Sequence, residues 1–559
     1  MTTPHLTELR GGRIYDPQAG IDGETRSLFF SADLGIVAAP ADPAEVREVL
    51  DVTGCAVMAG GVDIHTHIGG GKVNIARMLL PEEHLATRTA RGQHPHLGSG
   101  VATPSTRTAG YRYAEMGYTA CFEPAMLPAN ARHAHMELAD TPMVDKGAYA
   151  LLGNDDFYLR NLANGADRAV LRDYLAWTLH AAQALAIKVV NPGGINAFKF
   201  NQRKLDLDEQ NSAYGVTPRQ ILLTLAEDIH TLGLAHPLHI HGCNLGVPGN
   251  QDTTLASINA LAGLPAHFTH IQFHSYGAEG DRKFSSGAQV IAEAINGAKN
   301  ISVDIGQIMF GQTVTESGDS MRQYAGSAFA SPKKSVLMDI ECEAGCGVVP
   351  FKYKHQNFVN ALQWTIGLEL FLSINDPWRV FLTTDHPNGA PFTSYPHLIR
   401  LLMDRTFRQE MLATINPEAA AASHLGSLER EYSLYEIAIL TRAAPARSLG
   451  LTNLGHLGLG ARGDVTVYVD HPDRERMFTT PKYVFKAGQM IVRDGRIIAT
   501  PQGATHVSRV AYDPAIERTL DAYFERYMTV RRSNIMVSDA EIEDLGGSPL
   551  IRHTPRRRA

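Results

Sequence analysis

The sequence predicts an α/β fold: a parallel (β/α)8, TIM-like barrel carrying a small β domain assembled from both ends of the chain. Three observations lead there. The middle of the chain alternates helical and strand-like segments over roughly 350 residues, a span that a barrel of ~250 residues with insertions accommodates. Segments rich in short strands and turns lie at both ends. No G-x-G-x-x-G run follows an early strand, which disfavours an open doubly wound sheet, the competing architecture.

Taken in order, "GGRIYDP", "SLFFSADLGIVAAP" and "VLDVTGCAVMAGG" mix apolar stretches with Gly, Pro and Asp, as short strands and turns do. Helical periodicity appears in "RAVLRDYLAWTLHAAQAL" (168–185) and "PRQILLTLAEDIHTLGL" (218–234). Each leads into a short apolar run, "AIKVV" (186–190) and "PLHIHG" (237–242). "ASINALAGL" (256–264) followed by "FTHIQFHSYG" (268–277) repeats the unit, and "WRVFLTTDHPNG" (378–389) is a last strand running into polar residues. The β texture returns in "ARGDVTVYVDHPD" (461–473) and "KYVFKAGQMIVRDGRIIAT" (482–500), where "RDG" marks a hairpin turn. The expected organisation is therefore residues 1–60 and 431–510 as two parts of one β domain, 61–430 as the barrel, and 511–559 as a C-terminal extension.

Composition narrows the function classes. A hydrophobic content of 44% with 19% charged residues is that of a globular enzyme, and a net charge of −7 over 559 residues argues against a nucleic-acid partner. No stretch approaches the ~18 uncharged apolar residues of a membrane span, and the start lacks the apolar core of a secretory signal. Five cysteines form no disulfide framework, so a reducing cytoplasm is the expected setting, with Cys342 and Cys346 in "CEAGC" as ordinary thiols. The basic end "RHTPRRRA" (552–559) is expected to be a solvated tail.

The chemistry lies at the ends of the strand-like runs, where barrel enzymes place it. "VDIHTHIGGGK" (62–72) ends in two imidazoles and then glycines. On an extended chain His65 and His67 share one face with Thr66 opposite, as a pair of metal ligands or as inconsequential surface residues. Lys188 is a snorkelling lysine or, desolvated by its apolar neighbours and placed near cations, one that loses its proton, adds carbon dioxide and becomes an anionic carbamate able to bridge two metals. His239 and His241 face the same side, and His241 lies nearer the strand tip. His270 and His274 also share parity; on one strand His270 is ~13 Å deeper at ~3.3 Å per residue, so His274 is the expected ligand. Asp385, in "TTDHPNG", is a carboxylate ligand or a turn former. Imidazole nitrogen and carboxylate oxygen both suit zinc.

The order H-x-H, Lys, His, His, Asp on successive strands resembles the amidohydrolase superfamily. "VMAGGVDIHTHIGGG", "GDVTVYVD" and "KAGQMIVRDGRI" match that superfamily's split β-sandwich. More narrowly, "KVVNPGG", "HIHGCNLGVPGN", "HIQFHSYG", "VPFKYK" and "TTDHPNGAPFTSYP" resemble the A-type components of formylmethanofuran dehydrogenases and bacterial formyltransferase/hydrolase complexes. The resemblance implies two zinc ions: His65 and His67 holding one, His241 and His274 the other, carboxylated Lys188 between them, and Asp385 both binding metal and handling the proton. It implies hydrolysis of the N-formyl group of a methanofuran-type carrier to formate and free amine, or the reverse condensation, inside a hetero-oligomer with formyltransferase and other subunits. Asn244, Tyr276 and His386 lie close enough in sequence to these ligands to contact the carrier. Two rivals remain: a cyclic-amide hydrolase of the dihydropyrimidinase or dihydroorotase type, and a metal-free scaffold protein.

Overall fold

The computed structural model describes residues 5–80, 101–199, 202, 205–319, 338–339 and 346–555. Eight short parallel strands build the barrel: β1 (Gly61–Asp63), β2 (Tyr118–Met126), β3 (Asp145–Leu152), β4 (Ala186–Val190), β5 (Leu238–His241), β6 (Ala266–Phe268), β7 (Ile301–Asp304) and β8 (Val380–Phe381). Each pairs with its neighbour in this order. The ring closes just past the ends of β8 and β1, where Thr66 bridges His386 in parallel and the His67 N–H donates to the His386 carbonyl at 2.7 Å.

The connecting helices start and stop where local chemistry requires. Asp167 accepts from Ala169 N and opens Arg168–Ala181, which buries Leu171, Leu175 and Trp177. Thr217 and Gln220 form a reciprocal capping box ahead of Pro218–Leu232, with Pro218 in the first turn, where no N–H is needed. Gly233, at φ 72°, ends that helix in a left-handed conformation that favours glycine.

One expected strand is different. "FTHIQFHSYG" is not extended: β6 stops at Phe268, His270 turns left-handed at φ 36°, and Ile271–His274 is a 3-10 turn. The cause is Asp304 on β7, whose Oδ1 accepts the His270 N–H at 2.9 Å and draws the backbone off the sheet. His270 therefore sits at the strand tip rather than deep in the barrel, and the depth argument for choosing His274 alone does not hold.

The β domain is a single nine-stranded sheet. Cys55–Ala59, from the N-terminal part, pairs antiparallel with Val465–Val469 from the C-terminal part, and Leu9, Ile14, Phe30, Val57, Val467 and Phe485 fill the core between the two. Asp494 and Gly495, both at positive φ, make the two-residue hairpin turn expected of "RDG". The segment beginning at 431 is not β at first: residues 434–448 are helical and pack Ile439, Ala444 and Ala446 against Val62, Ile64, Phe122 and Phe381 at the barrel floor.

The C-terminal extension joins the barrel sheet. Thr505–Ser508 pairs with the start of β3, on the flank that β4 leaves uncovered below Tyr149, and Leu550–His553 pairs with it in turn. Arg552 and His553, expected in a solvated tail, are thus strand residues; Arg552 reaches Asp539 at 2.7 Å and His553 Nε2 meets His506 Nδ1 at 2.9 Å. The H-x-H within residues 92–100 and Cys342 lie outside the described residues. Among the described residues no helix is long and apolar enough to cross a membrane.

Barrel, β domain and extension meet at one buried carboxylate. Asp145 on β3 contacts Lys486 Nζ at 3.0 Å, His506 Nε2 at 3.1 Å and Arg462, and accepts from Ala504 N at 2.8 Å. Burial opposes ionisation, but Lys486, Arg462 and His506 hold Asp145 well below the usual carboxylate range. Asp145→Asn should cost about 3–5 kcal/mol in denaturant unfolding at neutral pH, because it strands buried cations. A depressed acid stabilises above its unfolded pKa of ~3.9 and loses that contribution as pH falls towards its folded value, so the gap between wild type and variant should narrow on acidification below about pH 4.

Candidate metal centre

The histidine pair at the end of β1 is positioned by alternation and then by a break. His65 and His67 turn inward, while the opposite-facing Thr66 takes a hydrogen bond from Tyr113 OH at 2.8 Å. Gly70, at φ 105°, then turns the chain into the helix Gly71–Met78. Across the closure, Asp385 adopts φ 51° four residues past β8 and brings its Oδ1 to 2.9 Å from His65 Nε2 and 3.3 Å from His67 Nε2. Non-glycine residues at such φ values cost about 1–3 kcal/mol each and recur at functional sites. Asn388 Nδ2 donates to the same Oδ1 at 3.0 Å.

A second cluster faces this one. His241 from β5, His270 after β6 and His274 from the 3-10 turn bring their rings within 4.6–5.4 Å, centroid to centroid. In each cluster one ligand atom per residue lies within 4.8 Å of the others. Lys188 on β4 is buried beside His239 of β5 in the sheet register, and its charge acts on His239, His241 and His270. Burial pushes its amine down to about 8, with Lys72 adding to the effect and Asp385 and Asp304 opposing it.

Behind the clusters stands a layer of buried partners. Glu123 on β2 accepts from Ile68 N at 2.8 Å and Gly69 N at 3.1 Å and meets His67 Nδ1 at 2.9 Å. Asp304 takes Thr383 Oγ1 at 2.7 Å and His267 Nε2 at 3.0 Å. A histidine column runs down the barrel axis: His65 Nδ1 to His239 Nε2 at 2.9 Å, His239 Nδ1 to His236 Nε2 at 2.9 Å, and His236 Nδ1 to Ser448 Oγ at 3.0 Å. Such partners orient imidazoles for metal binding.

The donor set fits divalent cations. Both ring nitrogens of His270 and of His274, and Asp385 Oδ2, are buried with no hydrogen-bond partner, and His65 Nε2 faces Asp385 Oδ1. Buried polar atoms seldom go unpaired, and these converge. Burial holds His241 and His270 well below the usual imidazole range and His274 down to about 4, so they are neutral, with lone pairs available. At His67 burial works the other way from its neighbours, and Glu123 and Asp385 prevail, raising it to about 9; the position favours positive charge. Burial also opposes ionisation of Asp385, yet His270, His65 and His67 keep it well below the usual carboxylate range.

The three residues expected to contact carrier are all buried and hydrogen-bonded within the chain. Tyr276 is buried, its hydroxyl accepting from Gln272 Nε2 at 2.8 Å and Gln363 Nε2 at 2.9 Å. His386 Nδ1 accepts from Phe392 N at 3.2 Å, and its carbonyl serves the barrel closure. Asn244 Nδ2 bonds Asp206 and reaches Thr253 Oγ1 at 3.1 Å. The groups that sequence reasoning passed over are His270, Glu123, Asp304 and the inner histidines. The signal for Glu123 was a lone carboxylate within the apolar run "YTACFEPAM". A small cleft opens beside the centre, lined by His67, Lys72, Glu123, Leu127 and Asn130.

A family model described as the amidohydrolase family matches residues 48–498. The chain is 42% identical over 548 residues to the A-type component of the formyltransferase/hydrolase complex Fhc of Methylorubrum extorquens, covering 97% of this chain and 98% of that one. It is 40% identical over 554 residues to Protein FwdA of Methanocaldococcus jannaschii, covering 95% and 96%. Among solved structures, the crystal structure of the FhcABCD formyltransferase/hydrolase complex from Methylorubrum extorquens with methylofuran contains a chain that superposes with a TM-score of 0.91 at 40% identity, over 99% of this chain and 100% of that one. With the family match spanning most of its length and a relative of this identity covering nearly all of it, the chain belongs to the amidohydrolase family.

Proposed function

We propose that this chain is the hydrolytic component of a formyltransferase/hydrolase-type assembly and cleaves the N-formyl group of a methanofuran-type carrier, releasing formate and the free amine. The observation that carries the reading is the meeting of two buried ligand sets, His65–His67–Asp385 and His241–His270–His274, at the C-terminal mouth of the barrel. The identity to the A-type component of Fhc and the match to the FhcABCD structure support the carrier and the partner subunits. Three buried free cysteines, Cys55, Cys121 and Cys243, accord with a cytoplasmic setting.

In this reading His65 and His67 would hold one zinc ion and His241 with His270 and His274 the other, with Asp385 as a further ligand. Lys188 would serve both once carboxylated, its neutral Nζ adding carbon dioxide and releasing one proton. Burial of the lysine favours that neutral amine. When bound, the cations polarise the formyl carbonyl and acidify an attacking water. Asp385, held ionised by its imidazole neighbours, takes the water proton at Oδ2, its unpartnered oxygen. It returns that proton to nitrogen as the C–N bond breaks, so that an amine leaves rather than its anion. The reverse flux, formate condensing with the amine, uses the same residues, and the identity to FwdA gives it support.

The test is metal analysis of the purified protein coupled to formate release from the formylated carrier; absence of both sinks the reading, and turnover of hydantoin or dihydroorotate in its place favours a cyclic-amide hydrolase. Asp385→Asn should retain most of the metal and lose about 10²–10⁴-fold in kcat, the range of general acid–base contributions. Lys188→Ala should fall below two metals per chain by elemental analysis; full binuclear loading in that variant would exclude the bridge.

A further inference from the structure

Barrel interiors are ordinarily filled by bulky branched side chains, yet below the two ligand sets this one holds imidazoles that the proposed reaction does not use. His239 and His236 are both buried, and each uses both of its ring nitrogens. His239 Nε2 meets His65 Nδ1 at 2.9 Å and its Nδ1 meets His236 Nε2 at 2.9 Å; His236 Nδ1 ends the run on Ser448 Oγ at 3.0 Å. His65, His239 and Asp304 also bring ligand atoms within 4.8 Å of one another. Those atoms are already bonded: His65 to His239, and Asp304 to His267 Nε2, Thr383 Oγ1 and His270 N. Protons, rather than a third cation, fill that place.

A neutral imidazole carries one N–H and one lone pair, so in a ring-to-ring chain each ring donates at one end and accepts at the other. Burial holds His236 and His239 well below the usual imidazole range, which keeps them neutral. Two orders therefore fit the column, and the proton on His65 selects between them. A cation on His65 Nε2 needs the lone pair there, leaving the proton on Nδ1. Then His65 Nδ1–H donates to His239 Nε2, His239 Nδ1–H to His236 Nε2, and His236 Nδ1–H to Ser448 Oγ. Without the cation, Asp385 Oδ1 lies 2.9 Å from His65 Nε2 and is an acceptor for a proton held there. Every bond then reverses, and Ser448 Oγ–H donates. The side contacts permit both orders. Thr269 Oγ1, also on His65 Nδ1, is a hydroxyl that donates or accepts, and Asp304 Oδ2, 3.5 Å from that nitrogen, is engaged by His267 Nε2 at 3.0 Å. Ser448 is half-buried at the end of the floor helix Ala444–Ser448, where its hydroxyl is free to turn.

We propose that His239 and His236 are positioning residues for the metal, forming with Ser448 a tautomer relay that aims the His65 Nε2 lone pair at the cation and reverses along its whole length when the cation leaves. The relay presupposes the proposed role of His65 as a zinc ligand. No ring changes its charge; each keeps one proton and exchanges which nitrogen bears it. Occupancy at the barrel mouth thus sets the orientation of one hydroxyl at the opposite end, and residues that touch neither cation nor carrier govern zinc binding.

Neutron crystallography of the deuterium-exchanged full chain, metal-free and zinc-loaded, reads the relay directly. Deuterium should sit on Nδ1 of His65, His239 and His236 with zinc, and on Nε2 of all three without it. Identical positions in the two states, or a reversal that stops before His236, overturn the proposal. In chelator competition His239→Leu should weaken zinc binding about 10–100-fold, the range for residues that orient a ligand. His239→Gln, whose carboxamide both accepts and donates, should recover most of that loss. Wild-type affinity in His239→Leu, or no recovery in His239→Gln, also overturns it. Failure of wild type to bind any zinc removes the metal-centre reading and the relay together, whereas zinc uptake with unmoved protons removes the relay alone.

Discussion

Closure of the barrel between β8 and β1 is the constraint on which the rest of this structure depends. The closing contacts are few: the Thr66–His386 bridge and the His67 N–H to His386 carbonyl bond. Those same residues carry or flank His65, His67 and Asp385. The strand ends that complete the ring therefore also bring His65, His67 and Asp385 together. A barrel left open at this seam would hold His65 and His67 on one edge and Asp385 on the other. The helix floor at residues 434–448 supports the seam from beneath, packing against Val62 and Ile64 of the first strand and Phe381 of the last.

Inside the closed ring the balance of charge is unusual for a protein core. His65, His67, His236, His239, His241, His267, His270 and His274 are all buried in one barrel, with Glu123, Asp304 and Asp385 among them. Burial keeps most of these imidazoles neutral, which makes them good donors of lone pairs and poor carriers of charge. Three carboxylates without cations would be expensive in such a place. Two of them, Glu123 and Asp304, are satisfied by backbone N–H groups, side chains and ring nitrogens; Asp385 keeps one oxygen open.

Much of this was legible in the chain. Period-two placement put His65 and His67 on one face, and the apolar run around Lys188 marked a desolvated strand whose bounds, Ala186–Val190, are those of β4. Helical periodicity over 218–234 located the helix Pro218–Leu232. The failures have a common cause. "FTHIQFHSYG" alternates like a strand, but Asp304, 34 residues onward on another strand, bends it at His270. The bonds from Gln363 to the Tyr276 hydroxyl and from Asn244 Nδ2 to Asp206 likewise join residues distant in the chain, which no local pattern shows.

What the sequence by itself determined is the set of strands, the faces they present, and hence which residues arrive at the barrel mouth, because periodicity and capping act over a few residues and need no tertiary partner. What only the tertiary structure decided is which arriving groups are left unsatisfied. That depends on hydrogen-bond partners supplied from far along the chain, as Asp304 and Asp385 show: Thr383 and His267 satisfy the first, while the second keeps Oδ2 bare.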